Sequence, residues 1–215
     1  MQVVLYAVKP IADGAEAELY FEISDGENTE RRKFTVTAEM FFELGFPQNL
    51  CGNVEISCGK LDEVMVMAEK TDAIKKGLSI LSFADNTKKS LVRKLMQKGF
   101  SRVSAESAAD FLEESGYINE MASAELLARD IAVKKLYGPR RICSALYEKG
   151  FAKEAVDGAL DSLDVDFAYL CAKRIKAMGG VQIFADRAKK QKAVAALLRY
   201  GYSYDDIKEA VKQSR

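Results

Sequence analysis

Nine cations stand where side chains could grip an anion: Lys88, Lys89, Arg93, Lys134, Lys135, Arg140, Arg141, Lys189 and Lys190. Lysine and arginine hold phosphate or carboxylate by charge and by N–H donation, arginine with a planar fork. Three groups matter most, Lys88-Lys89, Arg140-Arg141 and Arg187 with Lys189-Lys190, because each falls at the expected start of a helix. A helix N-terminus carries partial positive charge and favours Asp or Glu in its first turn. Cations there break a local rule, and a breach made three times points to function. Free N–H groups at a helix start, together with Lys or Arg, suit phosphate. On this reading, glutamate at 140 and 141 should leave the helix intact or slightly stabilise it. The plain alternative is a solvated basic face. Tyr137, beside the central pair, either stacks on a base or partner side chain or packs a turn.

Other chemistry is thin. The chain has 215 residues and no histidine, which removes the commonest general base and metal ligand. Cys51-x6-Cys58 lacks zinc-site spacing, and there is no second pair to complete one. No phosphate loop, nucleophile elbow or dinucleotide fingerprint is present. Adjacent carboxylates such as Asp205-Asp206 diverge on a helix. These features argue against an enzyme and imply neither cofactor nor metal. Cys51, Cys58, Cys143 and Cys171 sit among apolar neighbours and read as reduced and buried. With no signal peptide and no membrane-spanning run, the chain reads as cytoplasmic.

Charge divides the chain. Residues 1–70 carry 6 Lys+Arg and 13 Asp+Glu, a net of −7, and residues 71–215 carry 26 and 19, a net of +7. Two domains with different roles follow. In the first, Val3–Val8, Glu18–Ile23 and Glu30–Val36 read as strands, the last two joined by Ser24-Asp25-Gly26. Thr37 can cap a short helix, Ala38–Leu44, and Asn53–Cys58 reads as a last strand. From Leu61 onward the period becomes helical. The first domain is a small β-rich α+β module.

The second domain repeats. Leu95-x3-Gly99-Phe100, Leu146-x3-Gly150-Phe151 and Leu197-x3-Gly201-Tyr202 share a frame, with glycines 51 residues apart (150 − 99 = 51; 201 − 150 = 51). Three tandem three-helix units are predicted, 71–118, 119–163 and 164–215. Their helices fall near Asp72–Phe83, Lys88–Lys98 and Ala105–Ser115; then Ala122–Leu136 and two more; then Asp166–Met178, Ala185–Arg199 and Tyr204–Gln213. Thr87 and Ser104 are the cap candidates in the first unit. Gly138 suits a left-handed position and Pro139 the first helical one. Stacked units of this kind form an elongated, curved array.

These motifs resemble the RecX family, regulators of the RecA recombinase. The resemblance covers about residues 72–213. It rests on Thr87-x3-Leu91-x2-Lys94-Leu95-x3-Gly99-Phe100, on Gly116-Tyr117-Ile118, and above all on Gly138-Pro139-Arg140-Arg141-Ile142-x3-Leu146-x2-Lys149-Gly150-Phe151. It departs at Asn119-Glu120, where the family has two acidic residues, and at Ser123, where it has an aromatic. The family is built from three three-helix repeats. The resemblance implies a monomeric regulator that lodges in the RecA–DNA filament and modulates its ATPase and strand exchange in recombination and the SOS response, with direct DNA binding in some members. A nucleic-acid-binding helical module that acts without RecA stays open beside it. The helical region is only moderately basic, which favours a composite protein–DNA surface over DNA alone.

Overall fold

The structure, a computed structural model, describes residues 1–47 and 52–214. Cys51 lies outside the described residues. Four strands, β1 (Gln2–Ile11), β2 (Glu16–Ser24), β3 (Thr29–Thr37) and β4 (Val54–Ile56), form one antiparallel sheet in the order β3-β2-β1-β4. Successive side chains of a strand face opposite ways. Val3 and Leu5, Ala17, Leu19 and Phe21, and Val36 are buried accordingly, while Glu18, Tyr20 and Glu22 stay partly exposed. A bulge between Leu5 and Ala7 lets β1 run on to Ile11, beyond the expected Val8. The expected hairpin forms, and the Asp25 carboxylate fixes its turn by accepting from Glu27 N and Asn28 N at 3.0 and 2.8 Å. Thr37 caps α1 (Ala38–Glu43), its side chain accepting from Met40 N.

The rest is helical: α2 (Cys58–Leu81), α3 (Lys88–Gln97), α4 (Arg102–Glu114), α5 (Glu120–Lys135), α6 (Pro139–Lys149), α7 (Lys153–Asp161), α8 (Phe167–Ala177), α9 (Arg187–Arg199) and α10 (Tyr204–Gln213). A 3-10 turn, Val181–Phe184, follows Gly179-Gly180. Helix α2 begins at Ser57, its cap, and not near residue 72, so the expected domain boundary after residue 70 falls inside it. Leu61, Val64, Ala68 and Thr71 continue one buried face with no glycine or proline to interrupt them. Thr71 resembles a cap but turns its hydroxyl back to Met67 O at 3.0 Å. The chain forms two compact units, residues 1–84 with 91–117, and residues 85–90 with 118–215.

In the first unit α2 packs on β1, β3 and α4, and Lys75 meets Glu16 at 2.6 Å. Glu69 ties α2 to the start of α4. It accepts from Ser101 N at 2.7 Å, Ser101 Oγ at 2.9 Å and Ser104 Oγ at 2.7 Å. Ser101 is the cap of α4, its side chain accepting from Ser104 N at 3.2 Å, and Ser104, expected in that role, is a buried residue of the first turn. These donors, the Ser101 backbone N–H foremost, hold the Glu69 carboxyl below the usual carboxylate range. A depressed folded pKa stabilises the fold above the ordinary carboxylate value of about 4.3, and the contribution is lost as pH falls. Glu69→Gln is expected to destabilise the protein by roughly 1–2 kcal/mol near neutrality. It should also shrink the further loss seen on acidification. Urea unfolding at neutral and acid pH checks this, and a variant as acid-sensitive as the parent would count against it.

The second unit has one continuous core. Ala124, Ala128 and Ile131 of α5, Ile142 and Leu146 of α6, and Val156 and Ala159 of α7 meet Leu170, Cys171 and Ile175 of α8, Leu197 of α9 and Ile207 and Ala210 of α10. Small alanine faces let α5 approach α7 closely. Glu120, fifty-one residues after Glu69 (120 − 69 = 51), makes the same kind of clamp, accepting from Ala152 N at 3.0 Å and from Lys88 N at 2.7 Å. A carboxylate shared by two helix starts is well placed for both dipoles. Fifty-one residues further stands Cys171, which cannot serve. There Ser203 N donates instead to Asp206 Oδ2 at 2.7 Å, in a capping box. Burial pushes the Cys171 thiol up to about 12, so it is a packing residue and not a thiolate nucleophile. Cys143 is half-buried and Cys58, expected inside, is exposed at the start of α2.

Candidate partner-binding surface

The surface is built where α5 ends and α6 begins. Helix α5 stops at Leu136, which takes the left-handed conformation (φ 51°, ψ 53°). Two groups hold this turn: Arg174 Nη2 donates to Lys135 O, and Tyr202 Oη donates to Leu136 O at 2.9 Å. Gly138, expected to be the left-handed residue, is instead the extended N-cap of α6 (φ −80°, ψ 170°), and Pro139 opens the helix. Glycine stands at 138 for another reason. A Cβ there would fall on the backbone of Gly201.

That close approach belongs to a recurring joint. The start of α6 abuts the end of α9: Gly138 N donates to Tyr200 O at 2.8 Å, and Arg140 N donates to Gly201 O at 3.3 Å. Fifty-one residues earlier, the Thr87 hydroxyl donates to Lys149 O at 3.4 Å and Lys89 lies beside Gly150. Thr87 still caps α3, accepting from Ser90 N at 3.1 Å. Each joint sets a helix start against the carbonyl end of another helix. The first-turn cations of α3 and α6 therefore also face a partly negative helix end, where lysine and arginine are favoured. The repeated breach of a local rule is relieved by packing at two of its three occurrences. At the third, the start of α9, Asp186 caps the helix by accepting from Lys189 N.

The structure gathers some of the candidate cations. The Lys135 ammonium and the Arg141 guanidinium lie 6.0 and 5.8 Å from the Tyr137 ring centre, close enough for cation–π attraction. Arg140, next to Arg141 in the chain, is exposed. Arg141 also pairs with Glu148 at 3.0 Å and Lys134 with Asp130 at 2.7 Å. Lys89, Lys189 and Lys190 are exposed, while Lys88 is half-buried at the α3 start. Arg93 is exposed on α3 in the other compact unit. Sequence reasoning misses Tyr200 and Arg174. The Tyr200 ring lies 6.0 Å from that of Tyr137, and the Arg174 guanidinium stacks on it at 4.0 Å. Their proximity to residue 137 depends on the joint between α6 and α9, which no local pattern encodes. Among the described residues, no group of acidic or cysteine side chains could hold a metal ion, and no helix is long and apolar enough to cross a membrane.

The protein is mostly helical, with an N-terminal antiparallel sheet and with cations and tyrosines around one helix start. Its relatives are named regulatory proteins. Regulatory protein RecX of Shewanella oneidensis is 33% identical over 112 residues, which cover 46% of this chain and 87% of that one. Regulatory protein RecX of Stenotrophomonas maltophilia is 28% identical over 139 residues, 65% of this chain and 85% of that one. A family profile described as the third three-helix domain of RecX matches residues 164–211. A crystal structure of a regulatory protein RecX shares the fold, with a TM-score of 0.73 and 19% identity over 98% of this chain and 99% of that one. The chain belongs to the RecX family.

Proposed function

We propose that this protein regulates a RecA recombinase by binding its filament on DNA and restraining ATP hydrolysis and strand exchange. The carrying observation is the pair Lys135 and Arg141 over the Tyr137 ring at the α6 start, with exposed Arg140 next to Arg141 in the chain, in a chain of this family. Arg140 has no ion-pair partner among the described residues and is exposed, so it can meet phosphate or an acidic side chain without breaking a contact. Lys88, Lys89, Lys134, Lys189 and Lys190 extend the surface in this reading, and Arg93, in the other compact unit, is a separate candidate. We read the nine helices from α2 to α10 as three three-helix units acting in the cytoplasm as one monomer. The recurrence of the Glu69 and Glu120 clamps and of the two helix joints at a 51-residue interval supports the units.

The test is RecA ATPase on single-stranded DNA with and without this protein. A fall in turnover that depends on the protein's concentration is expected. Unchanged turnover, together with salt-sensitive DNA binding that needs no recombinase, would instead make the chain a nucleic-acid-binding module.

A further inference from the structure

The first unit carries an open cleft of about 380 Å³ that the filament reading does not use, within the range of ligand sites, roughly 300–1,000 Å³. It lies where the inward face of the sheet meets the first turns of α2. Phe21 and Ile23 of β2 are paired with Arg32 and Glu30 of β3. Residues directly opposite share a face, so two charges stand on the inward side of the sheet, and both remain exposed. The floor is apolar: buried Leu61 and half-buried Ile23, with Met1 (70% exposed) and Met65 (39% exposed) beside them. The rim is acidic. Glu30 and Arg32 cancel, since Arg32 Nε and Nη2 each donate to a Glu30 carboxylate oxygen at 2.9 Å. Asp25 and Asp62 remain in the lining. Asp25 accepts from the neutral backbone of Glu27 and Asn28, and the amino-terminal ammonium acts on it more weakly than those two donors. Asp62 is exposed, with no side-chain partner among the described residues.

We propose that this cleft docks a basic peptide segment of a partner protein, with one large apolar side chain on the floor and lysine or arginine beside it against Asp62 and Asp25. Charge complementarity selects this occupant, because residues 1–70 carry 13 Asp+Glu against 6 Lys+Arg. Nucleic acid and acidic peptides would be repelled by the rim. An uncharged apolar ligand would leave the acids unanswered. A metal ion does not fit, since the described residues bring no group of acids close enough to hold one. Methionines adapt to apolar side chains of differing shape. Inward charge on an edge strand such as β3 also guards against strand pairing, but that duty asks for neither the open methionines nor Asp62 of α2. The cleft is opposite in sign to the cations at the α6 start. Docking here needs no recombinase, so this reading and the filament reading fail separately.

The experiment is fluorescence anisotropy of the whole chain with a labelled hexapeptide, two central leucines flanked on each side by two lysines. The comparison peptides replace the leucines with serine or the lysines with glutamate. The leucine–lysine peptide should bind saturably and at least about tenfold more tightly than the serine peptide, and the glutamate peptide should not bind. Asp62→Lys and Met65→Ser should each weaken binding by about tenfold, with thermal melts unchanged. Glu125→Lys makes the same change of net charge at an exposed acid of α5 in the other unit, and it should bind like the parent. No saturable binding, equal binding of the serine peptide, parental binding by the folded Asp62→Lys protein, or equal weakening by Glu125→Lys would overturn the proposal. Self-association in sedimentation velocity that Met65→Ser abolishes would overturn it too, by giving the cleft to a second copy of the chain.

Discussion

Alanine at Gly201 is expected to destabilise the second unit by about 3 kcal/mol, well beyond alanine at Gly150. Both glycines end a helix with almost the same left-handed backbone, φ 92° and 93°, so the backbone strain of about 1 kcal/mol is common to both. Their surroundings differ. A Cβ at 150 would meet the Thr87 hydroxyl at 3.3 Å and the Lys89 side chain at 3.7 Å, neighbours that can give way. A Cβ at 201 would fall on the Arg141 backbone nitrogen and lie 2.9 Å from Gly138 O. Backbone in two packed helices cannot yield without opening the joint, and overpacking of that kind costs roughly 1–3 kcal/mol. Gly138→Ala separates the two effects. Its φ of −80° suits alanine, so any loss of about 2 kcal/mol there is steric alone. Equilibrium urea unfolding of the three variants checks the ranking. Equal losses at 150 and 201 would mean that α6 and α9 do not abut in solution.

The same joint explains what the sequence can and cannot reveal. Periodicity places most helices to within a few residues, because leucine and alanine spacing in each amphipathic segment is a local property. Caps such as Thr37, Thr87 and Asp166 are legible or nearly so for the same reason. The start of α2 escapes it because the buried face from Leu61 to Gly77 shows no break at Thr71. Gly138 reads as a left-handed residue because a demand for closeness to a partner 63 residues away (201 − 138 = 63) looks, in sequence, like a demand for positive φ. Leu136 takes that conformation instead, held by hydrogen bonds from Tyr202 and Arg174. The cations are visible as a pattern, but their physical setting is not. An arginine in a first turn looks unfavourable until the carbonyl end of another helix is placed against it. Tyr200 and Arg174 have no signal in sequence, since only the joint brings them to Tyr137.

That setting changes the outcome expected from charge reversal. Glutamate at both 140 and 141 should lower stability by about 1 kcal/mol and not raise it, because the new anions face the carbonyls of Tyr200 and Gly201. The new carboxylate at position 141 would also stand against Glu148, the present partner of Arg141. Arg140→Glu alone avoids that second penalty, since Arg140 is exposed and unpaired among the described residues. Both variants should remain helical at ambient temperature. If the cluster at the α6 start meets phosphate or acidic side chains of a RecA–DNA filament, the double variant should bind the filament at least about tenfold more weakly, through repulsion as well as lost attraction. Arg140→Ala, which removes attraction without adding repulsion, should fall between parent and Arg140→Glu. Reversal at Lys89 or Lys190 should cost less, because neither has a tyrosine and further cations gathered beside it in the manner of residues 135–141. The measurement is filament co-sedimentation at moderate salt beside a thermal melt of each variant. Parental binding by a folded double variant would show that these cations serve the joint between α6 and α9 and the solubility of that face, and that the filament is met elsewhere.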